Sequence, residues 1–226
     1  MKKYLFRPDA LIGLFCAVFL VLATEYAWLG DYGPSGQPEV GAVVLYAWSV
    51  WLAVKNSVWN WVVSVVATGL YLYVFLNLRF YADAGLQAVY IVFSVIGLLA
   101  WMRRDAEPET EEADKASVPE LLTVAAAVFA GAVVTREYLI EINGAAPFWD
   151  ATLTAGSLGA LYLLIRKRIE TWFVWAVVDV AYVGVFVSRD LYLSAALYVV
   201  LLAMVIHAFF EWRPLVGRGR SAEPAT

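Results

Sequence analysis

TWFVWAVVDVAY, residues 171–182, opens a run that stays almost wholly apolar up to Ser188 and holds one carboxylate, Asp179. A run this greasy predicts a helix crossing a bilayer, where a central acid costs roughly 2.5–3.5 kcal/mol on insertion scales. A partner or a task must offset that cost. Trp172, Trp175, Asp179 and Tyr182 stand at i, i+3, i+7 and i+10. That spacing puts them on one helical face, so the acid belongs to an aromatic stripe.

The rest of the chain fits a membrane. Of 226 residues, 62% are hydrophobic and 16% charged, against about 45–50% and about 25% in soluble domains. Cys16, the single cysteine, lies in an apolar run and can form no internal disulfide. With one histidine, no paired-histidine spacing, no Gly-rich phosphate loop and no Gly-x-Ser-x-Gly elbow, the sequence offers no enzyme signature. No catalytic residue, metal site or cofactor is expected, and no basic stripe points to nucleic acid.

Eight spans are predicted, at 10–30, 40–54, 57–78, 82–102, 119–139, 148–165, 170–187 and 190–211. With both termini cytoplasmic, thirteen Lys and Arg fall inside and only Arg79, Arg136 and Arg189 outside, as the positive-inside rule requires. The Gly- and Pro-rich DYGPSGQPE (31–39) reads as an external loop, and RRDAEPETEEADKAS (103–117) as a solvated acidic connector. Ser117 and Glu120 have the spacing of a capping box opening the fifth span, which reads as a passive spacer. Trp28, Trp59, Trp101, Trp149 and Trp212, near helix ends, read as interfacial belt residues. His207 reads as packing.

An offset of 111 pairs Trp61 with Trp172, Tyr71 with Tyr182, Phe75 with Phe186, Tyr81 with Tyr192 and Trp101 with Trp212, without a gap. The domain reading follows: 1–39, an extra N-terminal helix and external loop; 40–102, a first three-helix repeat; 103–118, the connector; 119–139, an inverting helix; 148–211, a second repeat; 212–226, a cytoplasmic tail. Three crossings per copy and one inverting helix give two copies of like orientation. Transporters use such parallel repeats, with a site near mid-membrane.

Other polar residues also line up. Asp83, Gln87, Tyr90 and Ser94 share a face, as do Asp150, Thr154 and Ser157. Ser194 and Tyr198 are offered near the C-terminus, and Trp61, Ser64, Thr68 and Tyr71 repeat the opening stripe. Rings, hydroxyls, an amide and an acid suit a small polar ring compound, through stacking and cation–π attraction. Tyr71, Tyr90 and Ser157 are candidate substrate contacts on these grounds. A membrane scaffold whose polar stripes only knit helices together is the non-transport alternative.

WNW (59–61), LYLYVFLNLRFYADAGLQAVY (70–90), PFWD (147–150), RKRIETWFVWAVVDVAYV (166–183) and LYLSAALY (191–198) resemble the PnuC family of bacterial vitamin transporters. The resemblance covers roughly 40–102 and 147–213. It implies an all-α integral membrane protein with a three-plus-one-plus-three core like that of SWEET transporters, assembled as a homotrimer in the bacterial inner membrane. It further implies uptake of nicotinamide riboside by facilitated diffusion, with thiamine, riboflavin or nucleosides as alternatives. The family's binding motifs fall on Asn60, Gln87, Trp172, Trp175, Asp179 and Tyr182. Two positions depart: Thr171 stands where many relatives have Asn, and Leu161–Tyr162 where many have Gln-Trp.

Overall fold

The computed structural model describes residues 36–77, 81–105, 113–141, 147–188 and 192–217. Among them run seven α-helices: α1 Gly36–Val54, α2 Trp59–Asn77, α3 Tyr81–Asp105, α4 Val118–Glu141, α5 Pro147–Ile165, α6 Thr171–Val187 and α7 Tyr192–Trp212. A 3-10 turn, Arg213–Leu215, follows. The expected span at 10–30, Cys16 and most of the 31–39 loop lie outside the described residues. Five stretches, Trp59–Asn77, Ala84–Arg103, Val118–Glu141, Pro147–Ile165 and Tyr198–Leu215, are long and apolar enough to cross a membrane. Val44–Val54 and Thr171–Val187 are shorter apolar helices.

The helices fall into two compact units that part between Met102 and Arg103. In the first, α1 packs along α2, and α2 meets α3 through Trp61 and Trp101, edge to face with centroids 5.4 Å apart. Gly97 is required there, since a Cβ on it would lie 2.6 Å from the Trp61 ring. In the second unit α4 packs on α5, α5 on α6 and α6 on α7. Trp172 and Trp212 repeat the edge-to-face pair, at 5.1 Å.

Trp101 and Trp212 are fully buried, which overturns their reading as belt residues. The signal that misled is their place near helix ends; the T-shaped indole contact is what holds them inside. Trp59 and Trp149, by contrast, are exposed.

Local geometry recurs at the 111 offset. Two residues past the ends of α1 and α5 stands a residue of positive φ, Asn56 at 51° and Lys167 at 53°. The Ser57 amide donates to Leu52 O at 2.9 Å and that of Arg168 to Leu163 O at 2.8 Å, while Asn56 and Lys167 donate to Ala53 O and Leu164 O, each at 2.9 Å. This is the Schellman arrangement, which satisfies the last carbonyls of a helix and turns the chain sharply. Asn suits its left-handed position better than Lys does.

No residue of α4 is buried, and Leu122, Phe129 and Val134 stand open on it. Such a helix is at ease only where lipid tails replace water. Its one tight approach is to α5, where a Cβ on Gly159 would lie 2.5 Å from Val128 Cγ2 and 3.4 Å from Val124 Cγ1. Valine is stiff at χ1 in a helix and cannot swing aside. Gly159→Ala is therefore expected to push α4 off α5 and cost about 1–3 kcal/mol, read as a lower melting temperature in detergent. An unchanged melt would show the helices free to separate.

The connector is not a solvated strand throughout. Ala113 donates to Leu215 O and accepts from Gly217 N, both at 3.4 Å, while Asp114 exchanges bonds with Lys167 O and Ile169 N at 3.0 Å. The Ala116 amide donates to Glu170 Oε2 at 2.9 Å. Ser117 caps α4 as expected, accepting from Glu120 N at 3.3 Å. The Glu120 carboxylate, however, turns to Arg168, whose Nη2 lies 3.0 Å away, and does not complete a capping box. A guanidinium draws it more strongly than a backbone amide does.

Candidate substrate site

The face read first in the sequence forms as a face of α6. Trp172 and Asp179 are buried, at 2% and 3% exposure, and Trp175 and Tyr182 are half-buried. Trp172 is engaged edge to face with Trp212. The Oδ2 of Asp179 is buried without a hydrogen-bond partner among the described residues. Nε1 of Trp172 is likewise unpartnered. A buried polar atom left unpaired costs about 1–3 kcal/mol, and each one calls for a reason.

In the first unit Asn60 and Trp61 are buried, and Asn60 Nδ2 and Trp61 Nε1 also lack partners. Tyr71, Gln87 and Tyr90 are half-buried. In the second unit Ser157 is buried on α5, next to Gly156, whose approach to Val178 brings α5 against α6. Asp150, read with Ser157 as one stripe, is exposed in the first turn of α5.

Two positions of the 111 register explain which polar atoms remain free. Thr68 donates to Ser64 O at 2.7 Å within its own helix, whereas its mate Asp179 keeps an unpartnered oxygen. Thr171 is wholly buried and donates to Ala160 O at 2.8 Å, tying α6 to α5, whereas its mate Asn60 keeps an unpartnered amide. In each pair a hydroxyl is satisfied by the backbone and the larger group is not. Thr171, noted as a departure in sequence, is thus a helix clamp, and its hydroxyl is already engaged.

Arg168 was not singled out from the sequence; Tyr198, offered there with Ser194, was not among the expected substrate contacts. Tyr198 of α7 lies on Tyr182 with centroids 4.4 Å apart, and on Phe186 at 5.3 Å. Its mate at the 111 offset, Gln87, was a usable signal. Among the described residues, no group of three or more His, Cys, Asp or Glu is placed to hold a metal. Within the second unit, aromatic rings beside a carboxylate acceptor on one face of α6 can bind a flat, hydroxyl-bearing molecule.

The family model described as "Nicotinamide mononucleotide transporter" matches residues 38–214. The nicotinamide riboside transporter PnuC of Neisseria mucosa is 27% identical over 176 residues, covering 73% of this chain and 67% of that protein. The riboflavin/roseoflavin transporter RibM of Streptomyces davaonensis is 27% identical over 166 residues, covering 71% of this chain and 77% of that protein. Among solved structures, the crystal structure of the vitamin B3 transporter PnuC superposes with a TM-score of 0.71 at 22% identity, covering 92% of each chain. That likeness speaks for the fold. With five apolar helices long enough to cross a bilayer and most of its length matched, the chain belongs to the nicotinamide mononucleotide transporter family and is a multi-pass membrane transporter, not an enzyme.

Proposed function

We propose that the chain takes up nicotinamide riboside by facilitated diffusion with alternating access. The observation that carries this is the buried, unpartnered Asp179 oxygen on the aromatic face of α6. The pyridinium ring of nicotinamide riboside is cationic and its ribose carries hydroxyl donors, so one acid serves either part of the molecule. A nucleotide fits less well. Helices α2, α5 and α6 contain no Lys or Arg, so a phosphate near Asp179 would face like charge with no counterion from these helices. The riboside named for the Neisseria relative therefore suits this chain better than the mononucleotide of the family's title.

Asn60, Tyr71, Gln87 and Tyr90 of the first unit and Ser157, Trp172, Trp175, Asp179 and Tyr182 of the second are the proposed contacts. Their support is the resemblance, the shared faces and the unpartnered atoms of Asn60, Trp172 and Asp179. We also assign an eight-span arrangement with both termini cytoplasmic in the bacterial inner membrane, a parallel SWEET-like repeat over 40–102 and 148–211, and a homotrimer. The charge bias of the loops supports the orientation. The recurrent turns and aromatic pairs support the repeat. Family resemblance alone supports the trimer.

A second reading, riboflavin, is favoured by the likeness to RibM; a flavin ring is flat but uncharged, and makes less of Asp179. Melting the purified protein with nicotinamide riboside, nicotinamide mononucleotide, thiamine, riboflavin and nucleosides separates these readings. A ligand at a hundred times its Kd stabilises by about 2.7 kcal/mol. The riboside is expected to raise the melting temperature and the mononucleotide to leave it unmoved. No shift with any of the panel would favour a scaffold.

A further inference from the structure

Tyr182 is a proposed stacking platform, and this inference rests on that reading. Its ring is already covered. Phe186 lies one turn on, nearly parallel at 15° with centroids 5.7 Å apart, and Tyr198 lies at 4.4 Å and 35°. A flat ligand sandwiched between Tyr182 and Tyr198 needs about 7 Å between them, two van der Waals thicknesses. At 4.4 Å there is no room. A ligand ring can take that face of Tyr182 only after Tyr198 leaves it.

The first unit carries a different residue in the register of Tyr198. Tyr71 and Phe75 form the same pair, at 17° and 5.9 Å, and the residue in the register of Tyr198 is Gln87. The ring pair on the α2 or α6 helix is thus built with a tyrosine at that position in one copy and a glutamine in the other. Tyr198 is also half-buried, unlike the sealed Trp172–Trp212 contact at the other end of α6. We propose that Tyr198 is a specificity-determining residue that competes with the flat ring of a ligand for the face of Tyr182.

The test is titration calorimetry on the purified full chain in detergent, with nicotinamide riboside as the probe. Tyr198→Phe keeps the ring and should bind within twofold of wild type. Tyr198→Gln, which copies the first unit, and Tyr198→Leu remove the competitor, and both should bind about two- to tenfold more tightly, the worth of one aromatic pair. A residue that only packs would not raise affinity when removed. Equal or weaker binding by folded Gln and Leu variants would overturn the proposal, as would loss of folding in both, which would make the ring part of the helix contact. Wild-type protein that binds no riboside fails one step earlier, overturning the uptake reading and this one with it.

Discussion

Uptake by an Asp179→Asn variant is expected to fall on the order of 10- to 100-fold, the loss of one charge-assisted interaction of about 1.5–3 kcal/mol, while its melting temperature holds or rises. The two effects separate because Asp179 is buried with an oxygen that bonds to nothing among the described residues. An acid that served only the fold would have its partner within the fold. Removing a charge that is unpaired in the empty protein relieves a desolvation cost. Removing it from the loaded protein deletes an attraction for a cationic ring or a ribose hydroxyl. Asparagine keeps the side chain's size, so the packing around it is left alone. Uptake into liposomes and a thermal melt on one preparation decide the matter. Retained uptake together with a lower melting temperature would make Asp179 a structural acid and return Trp175 and Tyr182 to packing.

Arg168→Ala is expected to cost about 2–4 kcal/mol of stability, toward the range for breaking a buried ion pair but discounted for partial exposure. Arg168 joins three segments of the second unit. Its Nε and Nη2 reach the two oxygens of Glu120 at 3.2 and 3.0 Å, and its Nη1 lies 3.3 Å from Asp114 Oδ2 and 3.4 Å from Lys115 O. The guanidinium and the Glu120 carboxylate are only 16% and 13% exposed. Without Arg168 the carboxylate retains, among the described residues, Arg166 at 3.6 Å. Lysine cannot span both oxygens, so Arg168→Lys should recover little. The exchange Arg168→Glu with Glu120→Arg should recover more, though Asp114 would then face an acid. Thermal melts and protease cleavage within 103–117 report the outcome, and wild-type resistance in Arg168→Ala would reduce the network to surface decoration.

Much of this could be read from the chain. Apolar length fixed where helices run, because a backbone without water must bond to itself; the expected start at 148 and the observed start at Pro147 differ by one residue. The 111 offset announced paired tryptophans, and these appear as near-identical edge contacts of 5.4 and 5.1 Å. The aromatic and acidic stripe was equally plain, because a helix sets its faces by spacing alone.

What spacing cannot decide is which partner a side chain chooses. Trp101 near a helix end suits a lipid interface and an indole core equally well until its neighbour is known. Glu120 has the spacing of a capping box, yet an arginine 48 residues on takes its carboxylate. Thr171 and Asn60 occupy one register and meet opposite fates, since only the threonine finds a carbonyl, that of Ala160. Membrane insertion, helix positions and the polar face are local or summed properties of the chain, and the sequence alone determined them. Whether each polar atom is satisfied depends on groups brought within about 3 Å from distant segments, and for Asp179, Arg168 and Tyr198 only the tertiary structure decided it.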